Sequence, residues 1–155
     1  MDWRWCRFED LGVHGLYDVL SLRCRVFILE QGAFLDTDGA DPHAWHLCGR
    51  ESGGALTAYL RACDPGVKYD EASIGRVITA PEIRGSGVGK VLMQEGLRRC
   101  AGQWPGHPVR ISAQGRLRGF YEGFGFEAAS DDYIEDGIPH LQMLWMPNAK
   151  TGETR

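Results

Sequence analysis

Apolar and polar positions recur regularly enough along the chain to divide it into elements. Residues 4–9 predict a short first strand. From residue 15 to 31 the spacing turns helical: Leu16, Val19, Leu20, Arg23, Val26, Phe27 and Glu30 share one face at i, i+3, i+4 intervals. An acidic loop over 34–41 follows, broken by Gly39 and Pro42. Residues 45–51 and 55–62 predict two strands of a hairpin around Ser52-Gly53-Gly54, and 72–80 a further strand ending before Pro81. Residues 88–101 predict an amphipathic helix. Val88, Leu92, Met93, Gly96, Leu97 and Cys100 lie on one face of it, Lys90, Gln94, Glu95, Arg98 and Arg99 on the other. A strand over 109–113, a short helix over 117–123 and strands over 126–128 and 140–146 complete the pattern, the last two separated by a second acidic loop, 130–137. The order β-α-β-β-β-α-β-α-β-β predicts a mixed α/β (α+β) domain around one sheet. It spans residues 1–147 as a single unit, with a polar, disordered tail over 148–155.

Composition narrows the class. With 155 residues, 43% apolar and 25% charged, the chain suits one globular domain with a single core. The longest apolar runs, 26–29 and 143–146, are four residues each, too short for a membrane span. The opening residues carry no apolar stretch of the secretory-leader kind. A net charge of −4 argues against nucleic acid as the main partner. Cys6, Cys24, Cys48, Cys63 and Cys100 are odd in number and lack CxxC spacing, which points to free buried thiols in a reducing cytoplasm rather than to disulfides or a metal site. Cys100 as a nucleophile is the weaker alternative. The segment 36–46 fails as a calcium loop, because Gly39 falls at its fourth position instead of the sixth, and His43, His46 and Cys48 lack zinc spacing. No metal is expected.

The chemistry-bearing stretch is RVITAPEIRGSGVGK, residues 76–90. A strand runs into a proline-marked turn, then into Arg84-Gly85-Ser86-Gly87-Val88-Gly89 and the start of the amphipathic helix. Glycines let backbone approach an anion, and the unpaired N–H groups of a helix start point at it. Arg84 and Lys90 add positive charge. The glycine spacing excludes the P-loop and the dinucleotide-binding fingerprint.

The segment Arg84-x-x-Gly87-x-Gly89 after a strand resembles the acyl-coenzyme-A pyrophosphate motif of GNAT N-acyltransferases. Gln114-x-x-Leu117-x-x-Phe120-Tyr121-Glu122-x-Phe124-Gly125-Phe126 resembles the same family's second-helix motif. A narrower resemblance, to the ElaA-type subgroup, rests on Leu22-Arg23-x-Arg25-Val26-Phe27, Glu30-Gln31, Asp36-x-Asp38-Gly39, Gly75-Arg76-Val77-Ile78 and Glu135-Asp136-Gly137-Ile138-Pro139-His140. The resemblance implies a GNAT fold, a central, mostly antiparallel sheet flanked by helices. It implies a cytoplasmic acyltransferase that passes acetyl from acetyl-CoA to a primary amine of a small molecule or peptide by direct attack. It also implies a coenzyme A site formed by Ile78, Thr79, Arg84, Gly85, Ser86, Gly87, Val88, Gly89, Lys90 and Gln114, although many members have Asn at the Gln114 position.

Tyr121 is the resemblance's general acid, in keeping with a phenol that is protonated at neutral pH. Four groups are candidate bases: Glu30, His46, Glu71 and His140. Glu30 has a structural alternative as the ion-pair partner of Arg23, and His140 suits a base because imidazole titrates near neutrality. Seven carboxylates in the two acidic loops, Asp36, Asp38, Asp41, Asp131, Asp132, Glu135 and Asp136, suggest a rim that attracts a cationic, polyamine-like acceptor. The bland reading is two solvated loops. Two further alternatives are a non-catalytic acyl-CoA sensor and, through Arg23 and Phe27 before an acidic loop, a distant resemblance to acyl-homoserine-lactone synthases. A homodimer is one assembly to be tested.

Overall fold

The computed structural model describes residues 1–31 and 35–147; the expected tail lies outside them. One eight-stranded sheet carries the molecule. Strand β1 (Asp2–Arg7) leads through a 3-10 turn into helix α1 (Gly12–Arg23), which continues as a π-helix over Cys24–Glu30. Strands β2 (Ala44–Arg50), β3 (Leu56–Cys63) and β4 (Ala72–Thr79) form an antiparallel meander. Helix α2 (Val88–Gln103), strand β5 (Val109–Gln114), helix α3 (Arg118–Glu122) and strands β6 (Glu127–Ala128), β7 (Tyr133–Glu135) and β8 (Ile138–Trp145) follow. The spatial order is β1-β2-β3-β4-β5-β8-β6, with β7 also paired to β8.

Helices cover both faces of the sheet. On one, Leu92, Met93 and Leu97 of α2 meet Leu60, Ile111 and Met143. On the other, Val19, Leu22 and Val26 meet Cys48, Tyr59 and Ile78. Seven of the eight residues of β3 are buried, as a strand with both faces covered requires. Each fully buried Leu or Met contributes about 1.5–3 kcal/mol of transfer free energy. Gly96 lets α2 settle closely, since a Cβ there would stand 2.6 Å from Leu60 Cδ2.

Two departures from the sequence reading matter. The first helix does not keep its 3.6-residue face to the end. The wider π turn rotates Glu30 away from the apolar face, so Val26 is buried and Glu30 exposed. The second acidic loop contains strand β7. Asp136 (φ +52°) and Gly137 (φ +77°) form the two-residue turn that pairs β7 with β8.

Candidate active site

The sheet opens between β4 and β5. These are its parallel pair, and they are joined only at Ala72–Val109 and Ser73–Arg110. Beyond that point the strands diverge, so their facing backbone groups have no ladder partner. A bulge sharpens the divergence. Tyr59 pairs with Ile78 and Arg61 with Gly75, two steps on β3 against three on β4, and Arg76 takes φ +53° inside it.

The outer part of the opening is a cleft lined by Glu30, Ile78, Thr79, Arg84, Gln114 and Arg116. Arg84, one of these, leads directly into the glycine loop. Gly87 (φ +88°) is the left-handed residue from which α2 starts, and a Cβ on it would meet nothing within 4 Å. The side of the loop to which that Cβ would point is therefore open. The N–H groups of the first turn of α2, including Gly89 and Lys90, have no carbonyl partner within the helix. Gly85 (φ +85°) turns the loop, and the Ser86 hydroxyl donates to Ile83 O at 2.6 Å. Helix N-terminus, glycine backbone and basic side chains together could hold an anion here. Gln114 Nε2 donates to Gln31 Oε1 at 3.2 Å across the cleft.

Glu30 does not pair with Arg23. Arg84 Nη1 and Nη2 donate to its two carboxylate oxygens at 2.9 and 2.7 Å. Those hydrogen bonds hold the Glu30 carboxyl below the usual range, which makes it a poor base.

The inner part is a cavity of about 200 Å³ into which Tyr121 and His140 both face. Phe27, Gln31, Val77, Gln114 and Leu117 line cavity and cleft alike, so the two are continuous. Tyr121 is buried on α3, and burial pushes its phenol up to about 12, with Arg116 opposing. It is therefore a proton donor throughout the neutral range. His140 lies opposite Gln114 on β8. Its Nδ1 is 2.7 Å from Ile138 O, a contact in which the carbonyl accepts and Nδ1–H donates. Nε2 then carries the lone pair in the neutral ring, with Glu135 Oε2 at 3.8 Å.

The other base candidates are committed elsewhere. His46 sits in the interior with Nε2 donating to Asp41 O (3.0 Å) and Nδ1 accepting from the Tyr59 hydroxyl (2.6 Å). Burial lowers its tendency to protonate. Arg110 hydrogen-bonds both oxygens of Glu71 at 2.9 and 2.8 Å and brings its carboxyl to about 2. Cys100 is buried in the core, and burial raises its thiol far above the nucleophilic range. All five cysteines are free, but Cys24 is exposed rather than buried.

The seven-carboxylate rim is also corrected. Arg23, fully buried, binds Asp36 (2.9 Å) and Asp41 (2.7 Å). Arg61 binds Asp38 (2.8 Å) and Asp41 (3.1 Å), Lys68 binds Asp38 (2.9 Å), and Arg76 binds Asp36 (2.9 Å). Three of the seven carboxylates are neutralised by ion pairs, with Asp41 buried; those of 131–136 are exposed. Among the described residues no group of three or more His, Cys, Asp or Glu could hold a metal ion, and no helix is long and apolar enough to cross a membrane.

Several lining residues escaped the sequence reading as site residues. Phe27 and Gln31 lay within the quoted motifs but read as core and helix end. Arg76 likewise lay within a quoted motif without a site role, whereas Arg61, Lys68 and Arg116 gave no local signal, because only the tertiary fold brings them to the opening.

A diverging parallel pair, a bulged β4 and a glycine loop opening a helix together define the architecture of this opening. The model of an acetyltransferase (GNAT) domain matches residues 51–146. A UPF0039 protein of Synechocystis is 39% identical over 94% of this chain and 95% of its own. Protein ElaA of Escherichia coli is 38% identical over 92% and 95%. The crystal structure of an acyl-CoA N-acyltransferase from Pseudomonas aeruginosa superposes with a TM-score of 0.88 at 37% identity, over 93% of this chain and 98% of that one. The chain belongs to the GNAT acetyltransferase family, in its ElaA-type group, and is an acyltransferase that uses an acyl-CoA donor.

Proposed function

We propose that the protein transfers acetyl from acetyl-CoA to a primary amine in a ternary complex, with no covalent enzyme intermediate. The observation that carries this is the meeting of Tyr121 and His140 in one cavity continuous with the glycine-loop cleft. The diphosphate is taken by the backbone of Gly85–Gly89 together with Arg84 and Lys90, and Arg116 adds charge across the cleft. Pantetheine runs along Ile78 and Thr79 toward Gln114. The amine nitrogen attacks the thioester carbon, helped by proximity and by backbone N–H groups of the unpaired β4 edge. The C–S bond breaks as Tyr121 gives its proton to the leaving sulfur. His140 Nε2, directly or through water, takes the proton from nitrogen. Glu30, held by Arg84, is displaced or re-paired when diphosphate arrives and takes no part in proton transfer.

Acetyl-CoA is expected to raise the melting temperature, since saturation at a hundred times Kd is worth about 2.7 kcal/mol. Gly87→Leu places a side chain in the open approach and should abolish that shift. Tyr121→Phe should keep the shift but lower kcat by about 10²–10⁴ for amine-dependent thiol release, the range of a positioned acid–base group. Full turnover by Tyr121→Phe would remove it from the mechanism. A normal acetyl-CoA shift with no thiol release from any amine would favour the sensor reading.

A further inference from the structure

The inner cavity has two walls of opposite charge. Arg61, Lys68 and Arg76 line one side, and Glu135 and Asp136 the other, next to His140. The carboxylates that pair with the basic residues, Asp36, Asp38 and Asp41, do not line the cavity; they stand behind it. The pairing is also unequal. Four cations, Arg23, Arg61, Lys68 and Arg76, share three carboxylates. Asp38 accepts from Arg61 through both oxygens and also from Lys68, and the members of the network that line the cavity are cationic.

The register places the two walls relative to the chemistry. Lys68 lies in the β3–β4 connection and shares the cavity with Ser73, at the closed end where β4 and β5 still pair. His140 pairs with Gln114, at the open end where cavity and donor cleft meet. An acceptor lying along the cavity therefore meets positive charge at its far end and an acid–histidine wall at the end that reaches the thioester. The half-exposed Lys68 ammonium, which shares Asp38 with Arg61, matches a carboxylate, and Glu135 and Asp136 match an ammonium.

We propose that the acceptor is a small amino acid, its carboxylate seated on the Lys68–Arg76 side and its amine turned toward His140 and Tyr121. This rests on the acyl-transfer reading above and names its acceptor. It differs from the polyamine-like acceptor of the seven-carboxylate rim, because a polyamine would set a second ammonium against Lys68 and Arg76. Complementary charge here supplies selectivity through the mismatch it inflicts on the wrong acceptor.

The test uses acetyl-CoA with a panel of free amino acids, read by thiol release and by the mass of the N-acetyl product. The best acceptor is then compared with its carboxamide and its decarboxylated amine. In the wild type the free acid should exceed both by at least about tenfold in kcat/KM, the loss usual for an unmatched charged hydrogen-bonding group. Lys68→Gln removes the positive charge of a half-exposed side chain. It should bring the acid-to-amide ratio toward one, while the acetyl-CoA melting shift stays intact and reports a folded donor site. Arg76→Gln is the second variant, with the same expectation. A decarboxylated amine that matches or beats the acid overturns the amino-acid proposal and leaves the acyltransferase reading standing. A preference undiminished in both variants overturns it too. No acetylation of any amine by a protein that still binds acetyl-CoA overturns both.

Discussion

The two acidic loops look alike in the sequence and end in opposite places. In 36–41 each carboxylate finds an arginine or lysine: Asp36 binds Arg23 and Arg76, Asp38 binds Arg61 and Lys68, Asp41 binds Arg23 and Arg61. In 130–137 the chain folds back as the β7–β8 hairpin, and among the described residues the ion-pair contact of Glu135 is with His140 at 3.8 Å. The difference lies in what stands opposite. The first loop crosses cationic residues on α1, β3 and β4. The second lies on β8, whose only charged or titratable side chain is His140. A run of carboxylates therefore predicts a charged surface only where the neighbouring elements bring no cations.

The largest effect should follow from removing a buried partner. Asp41→Ala leaves Arg23 and Arg61 each short of a carboxylate in the interior, a change that costs about 3–5 kcal/mol. Urea unfolding should show it as a large fall in midpoint. Asp132→Asn in the other loop should stay within about 0.5 kcal/mol of the wild type. Equal effects of the two substitutions would erase the distinction between the loops.

Acid should separate them next. Burial opposes ionisation of Asp38 and Asp41, yet their arginine and lysine partners outweigh it, and both carboxyls titrate lower in the fold than in the unfolded chain. Their stabilisation is thus complete above pH about 4 and is lost as pH falls below it. His46 acts earlier. Burial lowers its proton affinity, so the unfolded chain gains protons first, from about pH 6.5 downward, and stability begins to decline there. Urea midpoints from pH 7.5 to 3.5 should fall in two stages. Asp41→Asn should flatten the second and spare the first. A single steep fall unchanged by Asp41→Asn would count against the network.

These outcomes also mark how much was legible in the sequence. The element order, the helix over 88–101 and the glycine loop were, because periodicity and glycine spacing are local. Tyr121 and His140 could be named, but nothing local showed that α3 and β8 face one cavity. The π-helix was not legible, since its residues keep an apolar pattern compatible with an ordinary helix until Glu30. The Asp136-Gly137 pair is a legible turn signal, but the carboxylates around it give the segment the composition of a solvated loop. Arg23 with Glu30 was the natural local pair. Asp36 and Asp41 displaced it because a buried guanidinium needs several acceptors, and only tertiary folding supplies them.

The smallest effect concerns steering. Seven exposed carboxylates would make the capture of a cationic acceptor strongly dependent on salt. With three of them neutralised, the field at the cavity comes mainly from Glu135 and Asp136, which line it. A zwitterionic acceptor feels that field only as a dipole, since its attracted ammonium travels with a repelled carboxylate. Raising ionic strength from about 0.05 to 0.15 M shortens the screening length to about 8 Å, and kcat/KM should then fall by no more than about twofold. Glu135→Gln, at the wall beside His140, should lower kcat/KM by about two- to threefold and remove most of the remaining salt dependence, while Asp132→Asn should leave both unchanged. A tenfold loss in salt for the wild type would restore the long-range rim. A salt response untouched by Glu135→Gln would remove this hairpin from acceptor capture.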